Sequence, residues 1–466
     1  MARNKGYLQQ VEVLGLADRG LSIGKDPDGK VIFLEGVLPG DIVDAKVLKK
    51  RKGYYQGLPE RFIKLSQSRC EAPCQHFEDC GGCKWQDLDY QRQIIEKERI
   101  VRDAFERIAK TKVIESFPIL PAPQIYHYRN KMEFSFSNQR WRTKKEVISD
   151  VEVPEKALGL HPPRFFNKVV DISECLLMPD FNDQIRNFVR TYSLKRNLSF
   201  YDPVQHTGYL RNIIIRSTTL NQWMVIVSFA YDDQYERESL IEAVLEEFPE
   251  ITSFHYVINE KKNDTIFDQE VILAAGNPVI VERLGNLNFQ IRPKSFFQTN
   301  SVQAKQLYDV VKSFADLQST DVVYDLYTGT GSIAQYLASE CDIIIGVEEI
   351  DDAIKDAKEN AKINGINNAH FYTGDVKDVF QDNLLREYGH PDVVITDPPR
   401  GGMHEKVVEG ILQASPSRIV YISCNPATQA RDVKLLSHQY EVQKIQPVDM
   451  FPHTHHIENV ALLRKK

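Results

Sequence analysis

The chain has 466 residues, 42% of them hydrophobic and 26% charged, and carries a formal net charge of −7. That length exceeds what one hydrophobic core serves and implies several domains. No stretch approaches the ~18 consecutive apolar residues of a bilayer span, and the start, Met1 to Gly6, carries no apolar signal core, so a cytoplasmic protein with no membrane partner is expected.

Charge is unevenly spread. Residues 1–63 hold 11 Lys/Arg against 8 Asp/Glu, whereas residues 285–466 hold 18 against 24. A mildly basic front on an acidic body is compatible with local nucleic-acid contact. Of the seven cysteines, four lie between Cys70 and Cys83, which in a large unsecreted chain favours metal or catalytic roles over disulfides.

Residues 7–63 alternate apolar and polar positions in short runs (Val11 to Leu14, Lys30 to Phe33, Asp41 to Val47) broken by glycine turns such as Pro39-Gly40, the pattern of a small all-β barrel. Within it Lys49, Lys50, Arg51 and Lys52 stand beside Tyr54 and Tyr55. Cations next to aromatics suit phosphate pairing and base stacking, and equally a solvated hairpin tip.

The spacing Cys74-x5-Cys80-Gly-Gly-Cys83 brings three thiolates around a tight turn, with Cys175 the best remote fourth ligand. Soft thiolates suit an iron–sulfur cluster or zinc, and the scarcity of histidine nearby favours the cluster. Cys70 is surplus to a four-ligand site. Residues 87–110 read as a long amphipathic helix, followed by a proline-rich connector from Pro118 to Pro123. From Tyr128 to about Phe254 the pattern is rich in strands, with a helix near Asp232 to Phe248, as in a mixed α+β domain. Arg129, Lys131, Arg140, Trp141, Arg142, Lys144 and Lys145 form a second basic and aromatic group in it.

After Phe289 strands alternate with helices, the signature of a doubly wound α/β sheet. Val322 to Ser332 is a strand running into the turn Gly329-Thr-Gly331 and then a helix, and a second strand ends at Glu348, 23 residues beyond Asp325. A carboxylate at that separation can accept hydrogen bonds from ribose hydroxyls. The turn lacks the third glycine of the pyrophosphate fingerprint, so S-adenosylmethionine is favoured over NAD. Gly374-Asp375 closes a third strand and can meet the adenine amine. A fourth delivers Asp397-Pro-Pro-Arg400, with Arg400 where amino-methylating enzymes carry an aromatic. A fifth, Arg418 to Ser423, runs into Cys424-Asn-Pro426, and Glu458 precedes a closing apolar run.

A methyl donor beside a strand-end thiol points to methylation of a carbon that is a poor nucleophile, such as pyrimidine C5. Thiolate addition at C6 makes C5 nucleophilic, and a base then removes the C5 proton. Cys424 and Glu458 fit these roles, and Phe296 or Phe297 can stack on a displaced base, the other serving the core.

Taken together, Cys74-x5-Cys80-Gly-Gly-Cys83, Tyr128-Arg-Asn-Lys131, Ser295-Phe-Phe-Gln298-x-Asn300, Asp325-Leu-Tyr-Thr-Gly329, Asp397-Pro-Pro-Arg400, Ser423-Cys-Asn-Pro426 and His456-Ile-Glu458 resemble the RumA/TrmA family of RNA 5-methyluridine methyltransferases. The resemblance implies Cys424 as nucleophile and Glu458 as base, with Gln298, Tyr327, Gly329, Glu348, Asp375 and Asp397 around the cofactor. It also implies a [4Fe-4S] cluster on Cys74, Cys80, Cys83 and Cys175, and RNA contacts from Phe296, Arg129, Lys131, Lys50 and Arg51. Tyr327-Thr328 stands where relatives often have Phe-Cys.

The implied architecture is a TRAM (OB-like) barrel over 1–63, a central iron–sulfur and RNA-binding α+β domain over 64–284, and a Rossmann-like methyltransferase domain over 285–466. The helical segment 87–120 is free to pack on the last of these. The barrel and the cysteines favour 23S ribosomal RNA over transfer RNA as substrate, and a monomer is expected. Two rivals are an amino-methyltransferase of nucleic acid acting through Asp397-Pro-Pro, and a non-catalytic RNA-binding metalloprotein.

Overall fold

The computed structural model describes residues 6–150, 152–381 and 384–466; Met1 to Lys5, on which part of the targeting argument rests, lie outside them. Five strands close the N-terminal barrel in the order Tyr7–Leu16, Ser22–Lys25, Val31–Leu34, Tyr54–Lys64, Ile42–Arg51. Alternate side chains of these strands, Val11, Val13, Ile32, Leu34, Val43, Ala45 and Val47 among them, fill its interior. The strands Tyr7–Leu16 and Ile42–Arg51 are longer than the apolar runs Val11 to Leu14 and Asp41 to Val47, and Val31–Leu34 is shifted by one residue from Lys30 to Phe33.

The central sheet has seven strands, with Leu210–Ser217 and Trp223–Phe229 in its middle. All residues of both strands are buried, so their sequences show no alternation. The reason is a two-sided burial. Ile213, Ile215, Val225 and Val227 pack among residues of the helices Asp180–Lys195 and Gln234–Glu247, whereas Ile214, Met224 and Ile226 join the core of the C-terminal domain.

That C-terminal domain is built on eight strands in the order Ala369–Thr373, Ile343–Glu348, Val322–Leu326, Val393–Thr396, Arg418–Ser423, Glu458–Lys465, Tyr440–Val448, Val113–Ser116. The first five are parallel, Glu458–Lys465 runs against them, and Tyr440–Val448 reverses again to run with them. Helices cover both faces, giving two apolar layers.

The segment 87–120 belongs to this layer structure. Its helix spans Tyr90–Ala104, capped by Asp89, and passes into a π-turn over Phe105–Ala109. Val101, Ala104, Phe105 and Ala109 share a core with Ile411, Ile419 and Val433. Val113–Ser116 then adds the edge strand, parallel to Tyr440–Val448. The hairpin Ile280–Leu284/Leu287–Ile291 straddles the expected boundary at residue 285. It is fastened to the helix Asp351–Ile363 of the C-terminal domain and to its C-cap, since Asn360 and Asn364 accept from the backbone of Gln290 and Asn288 at 2.8 and 2.9 Å.

Candidate active site

A cavity of about 1530 Å³ opens at the carboxyl ends of the parallel strands, where a doubly wound sheet offers its crevice. Gln298, Tyr327, Gly329, Glu348, Asp375, Asp397, Cys424 and Glu458 all line it, as do Phe296 and Arg129.

The cofactor end is shaped by backbone. The strand Val322–Leu326 ends in three left-handed residues, Tyr327 (φ 63°), Gly329 (φ 55°) and Gly331 (φ 73°). A Cβ on Gly331 would stand 2.7 Å from Phe371 Cε1, so packing as well as backbone demands glycine there. The Gly329 N–H donates to Glu348 Oε2 at 3.2 Å, and Glu348 Oε1 accepts from the N–H groups of Glu349 and Ile350. The carboxylate is thereby held open toward the cavity. Asp375 is gripped by Lys377 through its ammonium group and its backbone, which hold the carboxyl below its ordinary range.

The reacting end follows from strand register. Arg418–Ser423 and Glu458–Lys465 are antiparallel with Ser423 opposite Asn459, so one further step sets Cys424 beside Glu458. Cys424 also immediately precedes the helix Pro426–Leu436, whose N-cap is Asn425. Gln429 locks the two strand ends, donating to the carbonyls of Tyr421 (2.8 Å) and Asn459 (3.1 Å) while accepting from Asn459 Nδ2 (2.7 Å).

Burial governs the acids and the thiol. Desolvation pushes Asp325 and Asp397 up to about 7, each further raised by a neighbouring carboxylate. Glu458, only 6% exposed, is raised well above its usual range by burial and then by Asp397. Cys424 is pushed up to about 11 by burial, Glu458 and Asp397. Arg400 acts in the opposite sense on both Cys424 and Glu458. Its guanidinium lies 3.2 Å from His456 Nδ1, and burial holds that imidazole down to about 3, so it remains a neutral partner for the cation.

The two phenylalanines divide as their surroundings require. Phe297 is buried, its ring 5.7 Å from that of Phe289, while Phe296 is 66% exposed. Their loop is clamped to the central sheet: buried Arg216 donates to the carbonyls of Arg292 (2.8 Å) and Ser295 (2.6 Å), and Asn130 Nδ2 donates to that of Gln298 (3.0 Å).

A second cavity, of about 490 Å³, is lined by Cys74, Cys80, Cys83 and Cys175 and shares Arg129 and His456 with the first. Each sulfur faces an N–H donor: Gly82 N for Cys80 (3.4 Å), Gln86 Nε2 for Cys83 (3.1 Å), and backbone groups of His76 and Leu177 for Cys74 and Cys175. Among the described residues, no three His, Cys, Asp or Glu side chains are close enough to grip a single metal ion. Burial pushes Cys80 and Cys83 up to about 12. Cys70 stands apart, its Sγ 3.4 Å from the Gln86 carbonyl.

Of the basic groups, Lys131 is mostly buried and is pushed down to about 8. Arg140 is paired with Glu146 and Asp171, and Trp141 Nε1 donates to Asp79, so both are structural ties. Lys50 and Arg51 end one strand of the barrel hairpin, exposed and outside the cavity, with the Lys50 ammonium 5.7 Å from the Tyr55 ring centroid. Asp325 and His456, which open two of the motifs named above, also line the active cavity, as does Phe451, which lies in none of them.

Parallel strands that hand a glycine turn, a series of acids and a thiol to one crevice make a methyltransferase fold, and that is the class this chain falls in. Residues 214–466 match the family described as tRNA (Uracil-5-)-methyltransferase, and residues 2–57 match the TRAM domain. The chain belongs to this family of RNA methyltransferases. It is 47% identical over 452 residues to an "Uncharacterized RNA methyltransferase" of Bacteroides thetaiotaomicron, covering 96% of this chain and 99% of that one. A protein of the same description from Porphyromonas gingivalis is also 47% identical, with 97% and 99% covered. Among solved structures, the Pyrococcus abyssi tRNA (uracil-54, C5)-methyltransferase in complex with S-adenosyl-L-homocysteine matches with TM-score 0.73 and 26% identity, over 97% of this chain and 100% of that one. Among the described residues no helix is long and apolar enough to cross a membrane.

Proposed function

We propose that this enzyme transfers a methyl group from S-adenosylmethionine to C5 of a uridine in RNA through a transient bond between Cys424 and C6. The observation that carries the reading is the Cys424–Glu458 juxtaposition at adjacent strand ends, opening into the cavity that also holds Glu348, Asp375 and the Gly329 turn. S-adenosylmethionine supplies an electrophilic methyl group on a sulfonium. Glu348 receives the ribose hydroxyls and Asp375 the adenine amine, while Gln298, Tyr327, Gly329 and Asp397 complete the walls.

The Cys424 sulfur bonds to C6 and the π electrons shift to O4, making C5 nucleophilic. Once C5 has taken the methyl group, Glu458 removes the C5 proton; that electron pair restores the C5–C6 double bond and expels the thiolate. With the thiol raised to about 11, the free enzyme keeps it protonated; as RNA enters, its proton passes to solvent before the sulfur adds to C6, and Arg400 is the cation that favours thiolate and carboxylate. Phe296 stacks on a displaced base, Arg129 lines the approach with Lys131 two residues further along the chain, and Lys50 and Arg51 contact phosphates at a distance.

Cys74, Cys80, Cys83 and Cys175 hold a [4Fe-4S] cluster in this reading. N–H donors on all four sulfurs oppose the burial that raises their thiols. The cavity that the four cysteines line leaves room for a multi-atom cluster. When bound, it cross-links the 74–83 loop to Cys175. Functionally the chain divides into an RNA-binding barrel (1–63), a central cluster and RNA-binding region (64–284), and a catalytic domain (285–466) onto which the segment 87–120 and the hairpin from Ile280 pack, acting as a cytoplasmic monomer.

The barrel together with the cluster cysteines supports 23S ribosomal RNA as substrate. The likeness to a tRNA enzyme favours transfer RNA as the second reading. Incubating the protein with S-adenosylmethionine and each RNA, then digesting to nucleosides, should give 5-methyluridine from ribosomal RNA and none with Cys424→Ala. Product from transfer RNA alone would select the second reading. Methylated exocyclic nitrogen in either would sink the C5 mechanism.

A further inference from the structure

We infer that the buried Lys97–Asp449 pair and its neighbours form a brace that sets the position of Glu458; this rests on the role proposed for Glu458 above. Asp449 follows the strand Tyr440–Val448, and the segment it opens leads through Phe451 and His456, both in the active cavity, to Glu458. A long irregular segment fixes a catalytic group only if its backbone is held from outside.

The helix Tyr90–Ala104 and the residues just before it do this, from some 350 positions away in sequence. Lys97 Nζ donates to Asp449 Oδ1 at 2.6 Å and to the Phe451 carbonyl at 3.0 Å, and neither side chain of the pair is exposed. Tyr90 OH donates to Asp449 Oδ2 at 2.9 Å. Gln93 accepts from the His453 N–H at 3.0 Å and its amide lies 3.1 Å from His453 Nδ1, while the N–H groups of Lys84 and Trp85 both donate to the His453 carbonyl. His453 itself sits at φ 65°, a conformation a free loop would relax.

A buried ion pair is a poor device for stability alone, since apolar side chains of equal volume serve that end as well or better. What the pair adds is direction, because each of its atoms has one place to be. Glu458 opens its strand where the braced segment ends, whereas Cys424 meets that segment only through the ladder between the two strands and through Gln429. The brace therefore bears first on the proton-removal step and less on thiol addition.

The test uses Lys97→Met/Asp449→Leu, which removes both charges together, and the milder Tyr90→Phe. Each full-length variant is assayed for thermal stability, for kcat and both KM values, and for covalent protein–RNA adduct on denaturing gels. The double variant should melt near the wild type, lose about 10- to 100-fold in kcat with both KM values within about twofold, and accumulate methylated adduct, because addition proceeds while elimination stalls. Tyr90→Phe should accumulate a smaller amount. Wild-type turnover in a folded double variant, or a rate loss in both variants without adduct, overturns the brace. If Glu458→Gln turns over like the wild type and accumulates no adduct, the reading of Glu458 fails, and the brace with it.

Discussion

Asp397→Asn isolates the cost of crowding carboxylates at the end of the sheet. In the folded protein Asp397 is half-buried and raised to about 7 by desolvation and by Asp325, against 3.8 for the free side chain. A group that holds its proton more tightly when folded contributes most below the unfolded value, and that contribution is lost as pH rises through about 7. A rise from 3.8 to about 7 sets a ceiling of about 4 kcal/mol at pH 8. Asp325 and Glu458 share the same field, so neutralising one acid recovers part of this, on the order of 2 kcal/mol. That corresponds to a rise of several degrees in melting temperature for a domain of this size. Differential scanning calorimetry of wild type and variant at pH 5 and pH 8, without ligand, should show the variant more stable at pH 8 and the difference less than half as large at pH 5. Binding of the cationic methyl donor should narrow the difference by stabilising the ionised wild-type acid. A gain of equal size at both pH values, or a loss at pH 8, refutes the reasoning.

Glu458→Gln should lower turnover by at least about 10³-fold while leaving addition intact, so gel-stable protein–RNA adduct should build up with unmodified substrate. Because burial raises Glu458, the wild-type rate should fall on the acid side as that carboxylate gains its proton, and a flat kcat profile between pH 6 and 9 would contradict this. Gly331→Ala forces a Cβ to 2.7 Å from Phe371 at a left-handed backbone, which should cost about 1–3 kcal/mol and weaken donor binding in calorimetry. Anaerobically purified protein should be brown and hold about four iron and four sulfide, and Cys83→Ser should lose both the colour and several degrees of melting temperature.

What could be read from the sequence was chiefly local. The glycine turn, Glu348 at its fixed distance from Asp325, and Cys424 at the end of an apolar run each follow from a strand that must stop before its ligand. The pairing of Cys424 with Glu458 was less visible, because it depends on an antiparallel register between strands with another strand threaded between them in the chain. Val113–Ser116 carries no apolar pattern of its own and joins the sheet through backbone bonds, so periodicity is blind to it. The basic and aromatic residues around Trp141 look like an RNA surface by composition, yet Asp79, Glu146 and Asp171 engage two of them. Lys97 and Asp449 are, by sequence, two ordinary charges; only tertiary structure buries them together.

The central claim is a covalent bond between Cys424 and the target uridine. RNA carrying 5-fluorouridine leaves no C5 proton for Glu458 to remove, so the reaction should stop at the methylated adduct. After incubation with S-adenosylmethionine and nuclease and protease digestion, mass spectrometry should find the Cys424 peptide carrying a nucleotide plus one methyl group, absent in Cys424→Ala. A methylated RNA product with the cysteine peptide unmodified would contradict the account.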